Sequence, residues 1–527
     1  MLAARPGVER WILALVLGVA FLLRALQAQG AEPLVAGEAA FYVEWARAFA
    51  QGETLYAGPF LREPLYAWLL GGWMRIFGES LEVALWMHCV LGTVSTWLTY
   101  RIGLRVFGCD AKFTSLTAAA VVAVSGLVIQ HHAVLDNGAL TMTLVLLAIE
   151  RSLSARTMAA AAVAGIVWGL CVLTEYKTVF LALSTLLCLA STLPRPERSR
   201  LCVLLLALVV PILATTAHNR LVAGQWVLVS TEAGFEFWNG NHANSDGHGA
   251  VTPWSRTSWW DAHYEALSFA ETTTGLPRSE SAVSRFYSGE AWRSISQNPG
   301  AAVMAMANKV RVLWSSRELP LDYVVRDRRI ADSSWFSLPF FVIAGLGLVG
   351  MLFTVRKPGL LHLLVVVQTM VTAVFVVASE ERMLLVPLLA PLAAHALLLV
   401  LQRARAKAWS AATLAGSAVV AVAASLHTQA PQVSDSQHGA KTMEAEASEA
   451  AVRELLLEVP SSIELRFALA NALYAMGEYA RARHEYERVV QAHPRNRRYL
   501  EALGLCCSEL GDVPAAKRVF EAVKARR

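Results

Sequence analysis

A carboxylate and a guanidinium stand in two short stretches near the amino end, Glu38 in GEAAFYVEWARAF and Arg62 in LREPLYAWLLGGW. A carboxylate can take a proton from a hydroxyl, and the planar fork of arginine suits a phosphate. Glu38 falls at the start of a predicted helix, where the helix dipole favours its ionised form. The same placement fits a helix-capping glutamate with no chemistry. Phe41, Tyr42, Trp45 and Phe49 share one face of that helix. So patterned, it is predicted to lie in a membrane interface with its aromatic side in lipid. Arg62 precedes the proline that starts a second interfacial helix over 64–77; taken alone, an interfacial arginine is more often a headgroup anchor.

Further along, His131 and His132 close an apolar run just before Asp136. Adjacent histidines point to different faces of a helix, so a two-histidine metal site is not expected, and a hydrogen-bonding role at the interface is the simpler reading. Trp238, Trp254, Trp259 and Trp260 crowd one polar stretch. Aromatic faces suit sugar CH groups, although packing is the commoner use. Asn239 and Asn241 in WNGNHANSDG could bind hydroxyls or act as turn residues beside Gly240, Gly247 and Gly249. The seven cysteines show no metal-type spacing, and Cys506 and Cys507 are adjacent and not expected to pair with each other. No cofactor is called for, and a divalent cation held at Glu38 is the one admitted.

The elements that must position these groups are membrane spans. The chain is 55% hydrophobic and 17% charged, against about 25% charged in soluble chains, and its mean hydropathy is +0.44. Charges cluster between long apolar runs. Eleven runs approach the 20 or so residues that a span needs: 11–28, 82–100, 113–131, 137–151, 157–174, 178–193, 201–218, 336–355, 359–378, 383–402 and 408–426. The first is read as an uncleaved span. With the N-terminus inside, every short inner loop is basic: Arg5 and Arg10, Arg101 and Arg105, Arg151 and Arg156, Arg195 to Arg200, Arg356 and Lys357, Arg403 to Lys407. The opposite loops hold Glu38, Glu63, Asp136, Glu175, Glu380 and Glu381. The loops 29–81 and 219–335 and the tail then lie outside.

The tail repeats with a period of 34: Leu469 and Leu503, Gly477 and Gly511, Ala482 and Ala516, Tyr486 and Phe520, Val489 and Val523. Those small and aromatic positions are those of the tetratricopeptide repeat. The predicted domain is 444–527, a helical module for a protein partner, after a polar linker at 428–443.

The two stretches that hold Glu38 and Arg62 resemble the first outer loop of bacterial relatives of the protein O-mannosyltransferases, a GT-C fold superfamily that includes aminoarabinose transferase-like enzymes. The segment AHNRLVAGQWVLVSTEAGFEFWNGN is similar to the family's passage into a large outer loop. GLPRSESAVSRFYSGEAWRSISQNPGAAVMAMANKVRVLWSSRELP resembles the helical end of that loop, with Lys309, Trp314 and Glu318 at matching places, and ERMLLVPLLAPLAAHA matches a late span through Arg382 and Pro387. The resemblance covers about 1–427. It implies an all-α polytopic membrane protein of about eleven transmembrane helices, with a mixed outer loop and an α-solenoid tail.

It also implies a polyprenyl-phosphate sugar donor and a hydroxyl-bearing acceptor (protein, lipid or glycan) on the periplasmic face of a bacterial inner membrane. Glu38 would be the base and Arg62, Lys309 and Arg382 the donor-phosphate ligands, with Asp136, Glu318, Tyr42, Asn239 and Asn241 in support. One base and direct displacement predict inversion. Nothing points to nucleic acid. Two departures stand out: Gly37-Glu38 replaces the family's usual Asp, and LTEYK at 173–177 stands where relatives tend to have Arg-Pro. The competing classes are an envelope polysaccharide polymerase or ligase, which would lean on Arg and His of the large loop, and a non-catalytic scaffold working through its tail. A transporter is disfavoured by the lack of repeated halves.

Overall fold

The computed structural model describes residues 7–30, 37–56, 58–108, 110–242, 245, 267, 270, 279–315, 338–356, 359–378, 380–405, 463–492, 497–510 and 512–524. The predicted last span at 408–426, the linker, residues 444–460 of the predicted repeat domain, Glu318, Trp254, Trp259 and Trp260 lie outside them. The described elements are helices, in a membrane unit and a repeat unit.

In the membrane unit the first helix is α1 (Val8–Gly30). Two shorter helices follow, α2 (Gly37–Gln51) and α3 (Pro64–Phe77). Then come α4 (Leu81–Phe107), α5 (Lys112–Ala123), α6 (Gly126–His131), α7 (Gly138–Ser154), α8 (Met158–Val172), α9 (Thr178–Thr192) and α10 (Ser199–Ala223). Helices α11 (Ala233–Asn241), α12 (Glu280–Gln297) and α13 (Pro299–Leu313) belong to the large loop. The unit closes with α14 (Phe340–Thr354), α15 (Leu360–Val374) and α16 (Arg382–Arg405). Among the described residues, four stretches are long and apolar enough to cross a membrane: Val8–Gln29, Leu81–Phe107, Arg195–Ala223 and Arg382–Arg405. Shorter apolar helices such as α8, α9, α14 and α15 have 15 residues each, about 22 Å at 1.5 Å per residue. Their ends are extended by turns.

Packing follows the small residues. Gly165 and Gly169 of α8 face α10 so closely that an added Cβ would sit 2.2 Å from the Leu204 carbonyl oxygen and 2.5 Å from that of Leu208. Small residues one turn apart let two membrane helices approach backbone to backbone, where dispersion rather than hydrophobicity holds them. The core at the centre joins Trp168 of α8, Met142 and Ile149 of α7, Leu361 of α15 and Leu385 and Leu389 of α16. Val312 and Leu313, the last residues of α13, enter the same core.

Two expectations are corrected. The predicted span 113–131 is broken: α5 ends at Ala123, Val124 and Ser125 leave the helix, and Leu338 pairs with the break. The Leu338 N–H donates to the Val124 carbonyl at 2.8 Å and Gly126 N–H donates to the Leu338 carbonyl at 3.1 Å. The apolar pattern runs straight through the break, so periodicity could not reveal it. The aromatic face of α2 is also mostly covered by protein, with Phe49 alone of its four aromatics left exposed. Phe41 and Tyr42 are buried, Tyr42 meets Tyr66 of α3 edge-on at 5.1 Å, and Trp45 meets Phe60 at 5.7 Å. Protein aromatics from the next stretch supply the apolar cover that lipid was expected to give.

Among the described residues the repeat unit holds two helix pairs, α17 (Ile463–Ala475) with α18 (Tyr479–Ala492) and α19 (Arg497–Glu509) with α20 (Val513–Lys524). Gly477 turns the first pair at φ 77°. Leu469, Ala482, Tyr486, Val489, Leu503 and Ala516 are all in its core, and the Tyr486 hydroxyl donates to Asn471 Oδ1 at 2.6 Å. Cys506 and Cys507 are buried there as free thiols.

Candidate active site at one end of the membrane unit

The end of the bundle that loop charge marks as outer gathers five stretches of chain. The Phe60 N–H donates to Asn219 Oδ1 at 2.9 Å, and the Phe60 carbonyl accepts from Thr231 N–H at 3.0 Å. Asn219 Nδ2 in turn donates to the Val227 and Val229 carbonyls. The Leu65 N–H donates to the Leu173 carbonyl at 3.1 Å. The backbone around Arg62 is thereby fixed against both the large loop and the turn after α8.

Glu38 and Arg62, 24 residues apart in sequence, form an ion pair at 2.9 Å. Arg62 is forked: its Nε lies 2.9 Å from Glu232. The next residue, Glu63, is buried and accepts from the Ser230 hydroxyl at 2.7 Å. Beneath the fork, the guanidinium lies 5.7 Å from the centre of the Tyr42 ring. The Tyr42 hydroxyl is buried with no hydrogen-bond partner among the described residues.

A second cluster adjoins the first. The Lys177 ammonium contacts Glu381 at 2.6 Å, Glu236 at 2.8 Å and Glu175 at 3.6 Å. Glu236 also accepts from the Tyr176 hydroxyl at 2.5 Å, and Glu381 accepts from Gln368 at 3.2 Å. Lys177 thus joins α11, the turn between α8 and α9, and the turn before α16.

Burial of this many carboxylates moves their protons. Burial pushes the Glu38 carboxyl above the ordinary glutamate value, the Arg62 charge pulls it back, and Glu236 and Glu380 push it up again. Asp136 is driven well above the aspartate range, first by burial and then by Glu38. Glu232 is also raised well up by burial, against the pull of Arg62. Glu236 goes the other way: burial opposes it, but the charge and hydrogen bond of Lys177 hold it ionised. Lys177 stays protonated against its burial because Glu175 and Glu236 flank it. A carboxyl with a raised pKa is a better proton acceptor near neutrality than an ordinary one.

Of the other predicted residues, Lys309 is buried and donates to the Phe375 carbonyl at 2.7 Å and to Asn241 Oδ1 at 3.4 Å. Burial alone lowers it to about 8. Asn241 is itself tied to the Phe237 and Val374 carbonyls. Phe375 lies between the lysines, since the Lys177 ammonium stands 5.9 Å from its ring. Asn239 is buried on the helix that carries Glu236, and its Oδ1 has no hydrogen-bond partner among the described residues. Asp136 Oδ1 accepts from the Gly138 N–H at 2.9 Å. Arg382 is placed differently. It is fully buried, its guanidinium donates to the Val312 and Leu313 carbonyls at 2.7 and 2.9 Å, and it lies 5.2 Å from the Phe340 ring. Those carbonyls end α13, so Arg382 caps a helix that enters the core. No group of three or more metal-ligating side chains is present among the described residues.

Glu232, Glu236 and Lys177 do not stand out in the sequence. Glu232 and Glu236 are two acids in a long loop with no local signal. Lys177 has one: it is a cation in an outer loop that the positive-inside pattern leaves acidic.

In comparison with known proteins, residues 59–218 match the dolichyl-phosphate-mannose-protein mannosyltransferase family and residues 467–527 match the tetratricopeptide repeat. The first match takes in Arg62, Asp136 and Lys177 and leaves Glu38 and Lys309 outside it. No protein of curated function matches the chain. Among solved structures, the archaeal oligosaccharyltransferase AglB from Archaeoglobus fulgidus, in complex with an inhibitory peptide and a dolichol-phosphate, is similar with TM-score 0.42 and 15% identity. That likeness covers 84% of this chain and 58% of AglB, so the chain spans less than two thirds of that relative's length. ArnT from Cupriavidus metallidurans bound to undecaprenyl phosphate is similar with TM-score 0.34 and 16% identity, over 72% of this chain and 78% of that one. The chain thus carries a stretch similar to the dolichyl-phosphate-mannose-protein mannosyltransferase family at 59–218 and a tail similar to the tetratricopeptide repeat at 467–527.

Proposed function

We propose that the protein transfers a sugar from a polyprenyl-phosphate carrier to a hydroxyl-bearing acceptor on the periplasmic face of a bacterial inner membrane. The observation that carries this reading is the Glu38–Arg62–Glu232 cluster, which joins an acid from the first outer loop to a cation 24 residues on and an acid from the large loop. Glu38 takes the proton of the acceptor hydroxyl. The hydroxyl oxygen attacks the anomeric carbon, the bond from that carbon to the phosphate oxygen breaks, and its electron pair leaves with the polyprenyl phosphate. Direct displacement of this kind inverts the anomeric centre.

The leaving phosphate needs cations in a site of low dielectric. Lys309 suits that role, because its ammonium now meets neutral oxygens. Arg62 holds Glu38 in place and keeps it partly ionised. Asp136 and Tyr42 border Glu38 as supports, and Asn239 offers an oxygen to a sugar hydroxyl. Arg382 and Lys177 we assign to holding α13 and α11 against the bundle. A divalent cation shared by Glu38 and the donor is compatible with this arrangement. The tail is assigned to a protein partner.

The test is reconstitution of the full chain in proteoliposomes with a panel of polyprenyl-phosphate sugars, after weighing the lipid that copurifies. Transfer that disappears in Glu38→Gln and yields the inverted anomer supports the reading. Transfer unaffected by Glu38→Gln, or retention of configuration, overturns it. A thiol introduced near position 38 that reacts only from the cytosolic side overturns the assigned face.

A further inference from the structure

Arg24 is a cation inside the first span, six residues from the end of α1, which is about 9 Å along the axis. It is buried, and no carboxylate among the described residues pairs with it. Instead its guanidinium faces backbone. Nη1 donates to the Ala20 carbonyl at 2.8 Å and reaches the Ala123 carbonyl at 3.5 Å, and Nη2 reaches the Val122 carbonyl at 3.4 Å. Val122 and Ala123 end α5, where the helix breaks. A break at membrane depth strands carbonyls that lipid cannot satisfy, and they carry the negative end of a helix dipole. A charged donor answers both needs.

The far side of that break leads to the site. Helix α6 follows at once, then His132, then Asp136. The His132 Nδ1–H donates to the Val128 carbonyl at 2.5 Å, and the His132 carbonyl accepts from His88 Nδ1 at 3.2 Å. That fixes His88 Nε2 as the acceptor of the Tyr66 hydroxyl, at 2.8 Å. Tyr66 stands four residues after Arg62 and packs edge-on against Tyr42. A chain of hydrogen bonds therefore runs from α6 through His132 and His88 to Tyr66 at the start of α3. Gly92 of α4 sets the register: a Cβ there would lie 2.2 Å from Arg24 Nε and 2.9 Å from His132 Cδ2.

We propose that Arg24 is a positioning residue: by capping the broken α5–α6 span it fixes the turn that carries Asp136 and, through His132, His88 and Tyr66, the start of α3 beside Arg62. Its kinetic consequence rests on the transferase reading given above; its structural consequence does not. Arg24→Lys keeps a charged donor, Arg24→Met removes it, and Gly92→Ala leaves the arginine intact but displaces it.

The experiment is hydrogen–deuterium exchange on full-length protein in lipid nanodiscs, followed by turnover on the same samples. Arg24→Met and Gly92→Ala should speed exchange at 126–134 and at 60–66 relative to α8 and α10, and Arg24→Lys should restore most of the protection. Their kcat should drop by about 10-fold or more, as misplacement of catalytic groups does. Donor KM should stay within about 3-fold of wild type. The acid limb of the pH profile should move, which a purely structural defect would not cause. Unchanged exchange at 126–134 in both Arg24→Met and Gly92→Ala overturns the inference, and so does a uniform loss of protection across the bundle. If the wild type transfers no sugar, the transferase reading fails while the exchange result still decides the role of Arg24.

Discussion

Glu150 and Glu38 are both glutamates tied to arginine, at what the loop charges mark as the inner and outer ends of the membrane unit. Around Glu150 stand three cations, Arg101 at 2.8 Å, Arg105 at 3.5 Å and Arg151 at 3.6 Å, and all three reach solvent. Around Glu38 the ratio is reversed. Glu38, Glu63 and Glu232 crowd the single guanidinium of Arg62, and Glu175, Glu236 and Glu381 crowd the single ammonium of Lys177. A carboxylate among cations is a tie between helix ends. Carboxylates in excess of cations, held away from water, oppose folding. Groups with displaced proton affinity cluster at functional sites, and structural ion-pair networks displace it too. The difference teaches that charge pairing alone does not separate the two ends; the sign of the imbalance does.

The sharpest way to break that comparison is to neutralise each glutamate in turn. Glu38→Gln should lower turnover by about 10²- to 10⁴-fold, the range for losing a general base, with Tm unchanged or higher. Turnover is read as sugar transferred per folded molecule. Next, Arg62→Gln removes the cation that holds the Glu38 proton affinity down. Glu38 then needs a higher pH to ionise, so the acid limb of the pH–rate profile should move up and turnover at neutral pH should fall. A limb that moves down would contradict the assignment of Glu38 as base. In the wild type that limb should already lie above the usual glutamate value of 4.5, because burial raises Glu38.

The alkaline side sharpens the role of Lys309. With its proton lost near pH 8, a phosphate ligand stops working above that pH, so the rate should fall there. Lys309→Arg, which stays charged, should carry the alkaline limb upward. Glu150→Gln should instead cost about 1–2 kcal/mol of stability, since its arginines are partly exposed, and leave kcat of the folded fraction alone. Smallest of all, Arg481→Ala breaks an exposed ion pair with Glu478 in the tail and should move neither Tm nor turnover measurably.

Much of this is legible in the residues themselves. The basic inner loops and acidic outer ones separate two faces, and they set Glu38, Glu63 and Asp136 on one side. The 34-residue period names the tail, and Leu469, Ala482, Tyr486, Val489, Leu503 and Ala516 of the repeat pattern lie in the tail's core. The start of α3 at Pro64 also stands in the sequence. The aromatic face of α2 misleads, because hydrophobic periodicity says that a face needs cover without saying whether protein or lipid gives it. In LTEYK the eye falls on Glu175, the acid in place of a base, although its neighbour Lys177 is the group that gathers three carboxylates.

The sequence alone determined which stretches meet water and which are apolar, which end of the bundle is acidic, and that a repeat tail follows, because those follow from local composition and from periods of a few to a few tens of residues. Only the tertiary structure decided that Arg62 divides between Glu38 and Glu232, that Arg382 closes the end of α13, and that Arg24 meets a break in α5–α6. Each of these joins residues from separate helices, and the charge that a buried group keeps depends on which partners the fold brings within a few ångströms.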